Sequence, residues 1–168
     1  MTQDRLAELE RRVATLEAER EIARLLAAYG PLVDAGEADR AAGLWAHDGV
    51  YDVGDWLMNN RSEIAAMVRS DAHQGLMAQG CCHFFGPPVI DVEGDTAVAV
   101  CESILLTRRE SGGYAVIRAG VHEVRLRRTG GRWNITRRTA RQLDGEAAAW
   151  ELIREGLGVS RPNAAAGD

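Results

Sequence analysis

Two residues of this sequence have the chemistry of an acid–base pair: Asp34 in "YGPLVDAG" and His83 in "CHFFG". A carboxylate beside an imidazole fixes the ring's tautomer and favours its protonation. The pair can then take and return a proton near neutral pH. Taken singly, each residue has an ordinary explanation. Asp34 stands two residues before Gly36, as a turn residue would, and a His among apolar neighbours is by default a neutral core residue. Together they fit a carboxylate at a helix end facing a His on a sheet, across a cavity. A nucleophilic triad would also use such a pair, but no Ser or Cys sits in a recognisable elbow. Cys82 adjoins His83, so on a strand it points to the opposite face. The other polar residues with apolar neighbours are Tyr29, Tyr51, His122 and Arg141. Tyr29 lies on an apolar helix face, and His122 shares strand parity with Val124 and Leu126. Arg141 shares parity with Trp133 and Ile135, so it faces inward only with an acidic partner or an anionic substrate; surface exposure is the simpler expectation. Trp45, Trp56, Met58, Met67 and Met77 read as core or pocket wall, and His47 and His73 as solvated loop residues.

The elements that must position these groups can be read from periodicity. Leu6, Leu9, Val13 and Leu16 follow 3-4-3 spacing with charges between them, about two heptads. That stripe packs on its own domain or on a sister subunit. Ile22, Leu25, Leu26, Tyr29 and Val33 then form one helical face, with Asp34 on its flank beside the small residues Ala23, Ala27 and Gly30. Pro31 falls opposite the apolar centre and is expected to bend the helix against the carbonyl of Ala27. A turn, a short helix carrying Leu44 and Trp45, and a strand near 50–53 follow. Residues 62–70 read as a helix capped by Ser62, and 71–80 as a loop. From Cys82 the pattern becomes strands, "HFFGPPVIDV", "TAVAVCESILLTRR", "YAVIRAGVHEVRLRR" and "RWNITRRTARQL", joined by short Gly-rich links that imply antiparallel hairpins. A closing helix carries Trp150, Ile153 and Leu157. The expected fold is α+β: a cone-shaped, curved antiparallel or mixed sheet wrapped around a long N-terminal helix, enclosing a hydrophobic pocket. One domain is expected over 1–158, with 1–20 a helical extension and 159–168 a disordered tail.

The 168 residues carry 20 basic and 25 acidic side chains, a net charge of −5. That balance disfavours nucleic acid as a partner. The one basic cluster, Arg125, Arg127, Arg128, Arg132, Arg137, Arg138 and Arg141, is broken by Gly130 and Gly131 and reads mostly as a solvated strand face. No stretch approaches the ~20 apolar residues of a membrane span, and the first residues lack a signal-peptide core. A cytoplasmic protein is expected. Cys81, Cys82 and Cys101 read as reduced thiols, with no metal site built on them. Nucleotide loops, HExxH and GxSxG are absent from the sequence.

Three segments carry a family resemblance. "AYGPLVDAGEADRAAGLWAHDGVYDV", "HFFG" ahead of "VEGDTAVAV", and "RRTGGRWNI" resemble the SnoaL-like branch of the nuclear transport factor 2 superfamily, from about Leu16 to Arg141. "VDAGEAD" and "CHFFG" look most like the scytalone dehydratase, hexachlorocyclohexane dehydrochlorinase and bile-acid dehydratase group. The resemblance implies a catalytic dyad of Asp34 and His83, no cofactor, no metal, and a homo-oligomer, trimer before dimer. Scytalone dehydratase also has a second active-site His and two Tyr that hold a water; here His122 lies near that His position without matching it, and Tyr29 and Tyr51 do not align with the two Tyr. Ketosteroid isomerases share the fold but place their base where Asp52 or Asp55 is the nearest match. The implied activity is a lyase, a dehydratase of a hydrophobic cyclic small molecule, with Tyr29, Tyr51, Trp56, His122 and Arg141 contacting substrate. An isomerase, a polyketide or terpenoid cyclase, and a non-catalytic binding or assembly module are the alternatives. A filled cone, or a dyad turned away from it, would favour the module.

Overall fold

The computed structural model describes residues 3–159. Helix α1 (Gln3–Asp34) runs unbroken through Pro31, which sits on its exposed side where the missing amide hydrogen matters least. Its end is set by Gly36, whose φ of 71° suits glycine. The amide of Glu37 bonds the carbonyl of Leu32, and that of Gly36 the carbonyl of Val33, a Schellman closure. This cap leaves Asp34 in the last helical turn, beside the buried stripe of Ile22, Leu26, Tyr29 and Val33. The tail expected over 159–168 lies, from residue 160 on, outside the described residues.

Three sequence expectations change in the next segment. The short helix α2 is Ala38–Ala42, and Leu44 and Trp45 lie beyond it; fully buried Trp45 opens strand β1 (Trp45–Val53). After β2 (Trp56–Met58), helix α3 (Arg61–Arg69) is capped by Asn60 rather than Ser62. The Asn60 side chain accepts from the amide of Glu63 at 3.0 Å, while the Glu63 carboxylate reaches back to the amide of Asn59 at 2.8 Å. Residues 71–79, read as a loop, form helix α4 (Asp71–Gln79), with Ser70 as its cap and Gly80 at its end. Its only fully buried side chain is His73, so it has no apolar stripe for periodicity to detect.

The strands are β3 (Cys81–Phe85), β4 (Val89–Glu93), β5 (Thr96–Arg108), β6 (Tyr114–Thr129) and β7 (Arg132–Gln142). "HFFGPPVIDV" is therefore two strands, divided at Gly86-Pro87-Pro88, where the prolines lack the donors a ladder needs. The sheet is mixed, in the order β2-β1-β7-β6-β5-β3 with β4 also on β5; among the described residues only β1 and β7 run parallel. One face packs α1 against Ala97, Ala99, Val124, Leu126, Trp133 and Ile135. Helix α5 (Ala147–Gly156) covers part of the other face, where Ala149, Leu152 and Ile153 meet Val100 and Val121. Val121 is thus buried within its own chain, while Val116 and Ile117 remain exposed. No helix among the described residues is long and apolar enough to cross a membrane.

Candidate active site

The last turn of α1 meets β3 at very short range. A Cβ built on Gly30 would lie 2.0 Å from the carbonyl oxygen of His83, so only glycine permits this approach. Gly30 is one turn before Asp34 and shares its side of the helix. Gly30→Ala must push helix and strand apart. We expect a loss of about 1–3 kcal/mol of stability, the usual cost of overpacking, read as a lower melting temperature. The same shift lengthens the Asp34–His83 contact.

Asp34 accepts three hydrogen bonds from β3. The His83 amide donates to Oδ2 at 2.8 Å, His83 Nδ1 donates to Oδ1 at 2.6 Å, and the Cys81 thiol donates to Oδ1 at 3.4 Å. These donors offset the unfavourable placement of a carboxylate at a helix C-terminus. Because the carboxylate accepts, the imidazole proton sits on Nδ1, which leaves Nε2 as the free basic nitrogen. Burial lowers the His83 pKa from its ordinary value, and Asp34 only partly restores it. From sequence alone the carboxylate is expected to prevail and favour the protonated ring. Instead desolvation wins, and the resting group is a neutral base.

Asp34, Cys81 and His83 also bring three possible metal-ligand atoms within 4.8 Å of one another. Here those atoms are joined by protons. Burial pushes the Cys81 thiol up to about 11, so it keeps the hydrogen it gives to Asp34. The donor set fits a hydrogen-bonded dyad better than a thiolate metal centre.

His83 opens on a cavity of about 190 Å³, largely apolar, shared by Tyr29, Tyr51, Trp56, Phe85 and His122. Five sequence-predicted residues therefore meet in one place, with Asp34 behind His83. Tyr29 is buried, and burial, reinforced by Tyr51, raises its pKa so that it stays protonated as a donor. Trp56 is half exposed at the rim. His73, expected in solvent, is buried: its Nε2–H donates to the Val33 carbonyl at 2.9 Å, and its ring lies 5.5 Å from that of His83.

The second correction concerns arginine. Arg141 does not line this cavity; it is part exposed and pairs with Asp52, at 2.8 Å, as does Arg137 at 3.0 Å. These partners hold the Asp52 carboxyl below its usual range, the Arg141 hydrogen bond most strongly. Asp52, one of the two nearest matches to the isomerase base, is therefore tied up in ion pairs. The inward residue is Arg138, only 3% exposed. In the β6–β7 register Leu126 faces Ile135 while Arg125 faces Arg137, so Thr136 is an extra residue. That bulge flips parity along the rest of β7, which moves Arg138 inward and Arg141 outward.

Arg138 has no carboxylate within ion-pair distance among the described residues. Its guanidinium lies 4.2 Å from the Tyr29 ring centre, 4.6 Å from Tyr51 and 4.7 Å from Phe85. Its Nε and Nη2 donate to His122 Nδ1, each at 3.2 Å. Arginine has only donors, so His122 Nδ1 must accept. Burial, with Arg138, pushes the His122 pKa well below its ordinary value, so the ring is neutral and its proton is on Nε2. That Nε2 lies 2.7 Å from Ser103 Oγ and donates to it. The hydroxyl of Ser103, also on the cavity wall, is then free to donate to a ligand. The cavity thus has a basic nitrogen at one pole and a cation-backed donor chain as another. Sequence parity missed Arg138, and no motif marked Ser103.

Comparison with known proteins places these features in context. The model of the SnoaL-like domain matches residues 14–139. Among solved structures, the chain is similar to a nuclear transport factor 2-like protein with a cystatin-like fold from Novosphingobium aromaticivorans. The two are 40% identical with a TM-score of 0.87, over 90% of this chain and 99% of that one. A Mycobacterium tuberculosis protein of unknown function is 21% identical, covering 90% of this chain and 91% of that one, with a TM-score of 0.68. A candidate scytalone dehydratase from N. aromaticivorans is 18% identical, covering 76% and 85%, with a TM-score of 0.65. The last two likenesses are of fold alone. No curated protein matches the sequence.

Proposed function

The chain belongs to the SnoaL-like domain family, and from that premise we propose that it is a lyase that removes water from a hydrophobic cyclic carbonyl compound without a cofactor. The observation that carries this reading is the Asp34–His83 pair on the wall of an apolar cavity. Fold alone would not suffice, because one fold serves many chemistries.

The proposed sequence is short. A ring carbonyl lies toward Ser103 and Arg138. His83 Nε2 takes the proton from the carbon beside that carbonyl, and the electron pair moves onto the oxygen as an enolate. The Ser103 hydroxyl and the Arg138 charge stabilise the oxygen. The enolate then collapses, the carbon–oxygen bond of the neighbouring hydroxyl breaks, and the His83 imidazolium returns its proton to the departing oxygen. Water leaves and a double bond remains. Asp34 holds the ring and balances its transient charge. Tyr29 and Tyr51 position the substrate. Isomerisation shares the first step and differs in where the proton returns. An open cavity with the dyad on its wall supports an enzyme over a binding or assembly module.

The test is a screen of hydroxylated cyclic ketones, steroids and polyketide-like aromatics for loss of water or a double-bond shift. Conversion of none of them by the folded protein would count against the reading. With a substrate in hand, the pH profile follows from the lowered His83 pKa. The base must be neutral, so kcat/KM is constant at neutral pH and falls on acidification, with its midpoint below the ordinary His value of ~6.5. A midpoint above that value would contradict the burial argument.

A further inference from the structure

The N-terminal half of α1 makes no contact with the core. Every described residue before Ala18 is exposed, including Leu6 at 45%, Leu9 at 39%, Val13 at 52% and Leu16 at 62%. A free helical arm of this length is marginal in water, because its hydrogen bonds barely offset its ordering entropy. The arm therefore needs a partner for its apolar stripe.

Its own domain is not that partner. At ~100° per residue, Leu6, Leu9, Val13 and Leu16 centre about 160° around the helix from Ala18, Ile22, Leu26, Tyr29 and Val33, the stripe that packs inward. The arm's apolar face points away from the domain that carries it.

We propose that the arm pairs with the arm of a second copy of this chain as a parallel two-stranded coiled coil. Leu6 and Val13 take the a positions and Leu9 and Leu16 the d positions. A β-branched residue at a with Leu at d favours two strands. The charges choose the direction. The g positions are Arg5 and Arg12, and the e positions are Glu10 and Glu17. In a parallel pair each g faces the e of the next heptad on the other chain, so Arg5 meets Glu10 and Arg12 meets Glu17, twice over by symmetry. An antiparallel pair sets g against g and e against e, which opposes Arg to Arg and Glu to Glu. The ion pair between Arg11 and Glu8 lies within one helix, off the seam. Each globular domain sits on the far side of its helix from the seam, so the two do not collide. This inference does not depend on the proposed reaction.

The experiment uses the full chain. Sedimentation velocity over a dilution series should show a monomer–dimer equilibrium. Leu9→Asp with Leu16→Asp should leave a folded monomer with a cooperative melt that no longer depends on protein concentration, since both residues are exposed in the single chain. Glu10→Arg with Glu17→Arg should also be monomeric, and mixing it with Arg5→Glu, Arg12→Glu should restore a heterodimer. Under mild oxidation Leu6→Cys should form a disulfide-linked dimer that the wild type does not, because like positions face each other only in a parallel pair. A wild type that stays monomeric would overturn the proposal. So would an assembly, trimer or dimer, that the Leu9 and Leu16 changes leave intact. A dimer in which Leu6→Cys fails to cross-link would refute the parallel arrangement.

Discussion

His83→Ala lowers turnover by about two to four orders of magnitude, the range of a lost general base, and leaves the protein folded. His83 lies on a cavity wall, and its ring supports no other side chain's only hydrogen bond; Asp34 keeps the His83 backbone amide and the Cys81 thiol as donors. Asp34→Asn follows in the same direction. The amide keeps the shape but removes the charge that fixes the proton on Nδ1, so Nε2 can no longer be counted on as the base. Steady-state kinetics on the substrate found by screening check both. Activity intact in His83→Ala would exclude the dyad as the proton-transfer machinery.

Arg138→Met lowers kcat by about 100- to 1,000-fold, as loss of an oxyanion donor does, with a smaller effect on KM. The substitution keeps an unbranched apolar stem but removes the cation behind His122 and Ser103. Stability moves much less. Lost contacts with the Tyr29, Tyr51 and Phe85 rings and an unpaired His122 nitrogen oppose the relief of removing a buried charge without a carboxylate partner. Arg138→Lys does not restore the rate, because a point charge cannot span His122 and the cavity as a guanidinium does. Kinetics and a thermal melt together separate this from a structural role, which would move the melt and the rate alike. Equal losses in stability and rate would assign Arg138 to the core.

Acid should also destabilise the fold. The His122 pKa is far below, and that of His83 below, the ordinary value. Below ~6.5 the unfolded chain binds protons that the folded chain refuses, so stability is full above that pH and falls as pH drops toward the folded pKa values. A melting temperature that held steady from pH 7 to pH 5 would contradict the neutral, buried His122.

The helical face of Ile22 to Val33 and the hairpin links were legible because each is local, a period or a turn, whereas the pairing of Asp34 with His83, 49 residues apart, came from the family resemblance. What the sequence hid was set by a single inserted residue. Thr136 shifts the β7 register, and with it Arg138 and Arg141 exchange faces. Alternation counted from Trp133 has no means of sensing that bulge. Helix α4 was hidden for another reason: its buried residue is His73 rather than a stripe of leucines, so its caps, Ser70 and Gly80, were its only signals. Trp45 packs at the start of a strand although its neighbours read as helix, because tertiary burial outweighs local propensity there. Ser103 could not be found at all, since its role comes from standing 2.7 Å from His122 across two strands.

In the proposed reaction His83, held by Asp34, takes a proton from carbon in this cavity. Deuterium exchange tests it without requiring the full reaction. A substrate analogue lacking the leaving hydroxyl is incubated with the protein in deuterium oxide and followed by NMR at the carbon beside its carbonyl. The wild type should exchange this position, and the exchange should disappear in His83→Ala while the analogue still binds. Exchange that persists at the wild-type rate in His83→Ala, or a bound analogue that never exchanges, would contradict it.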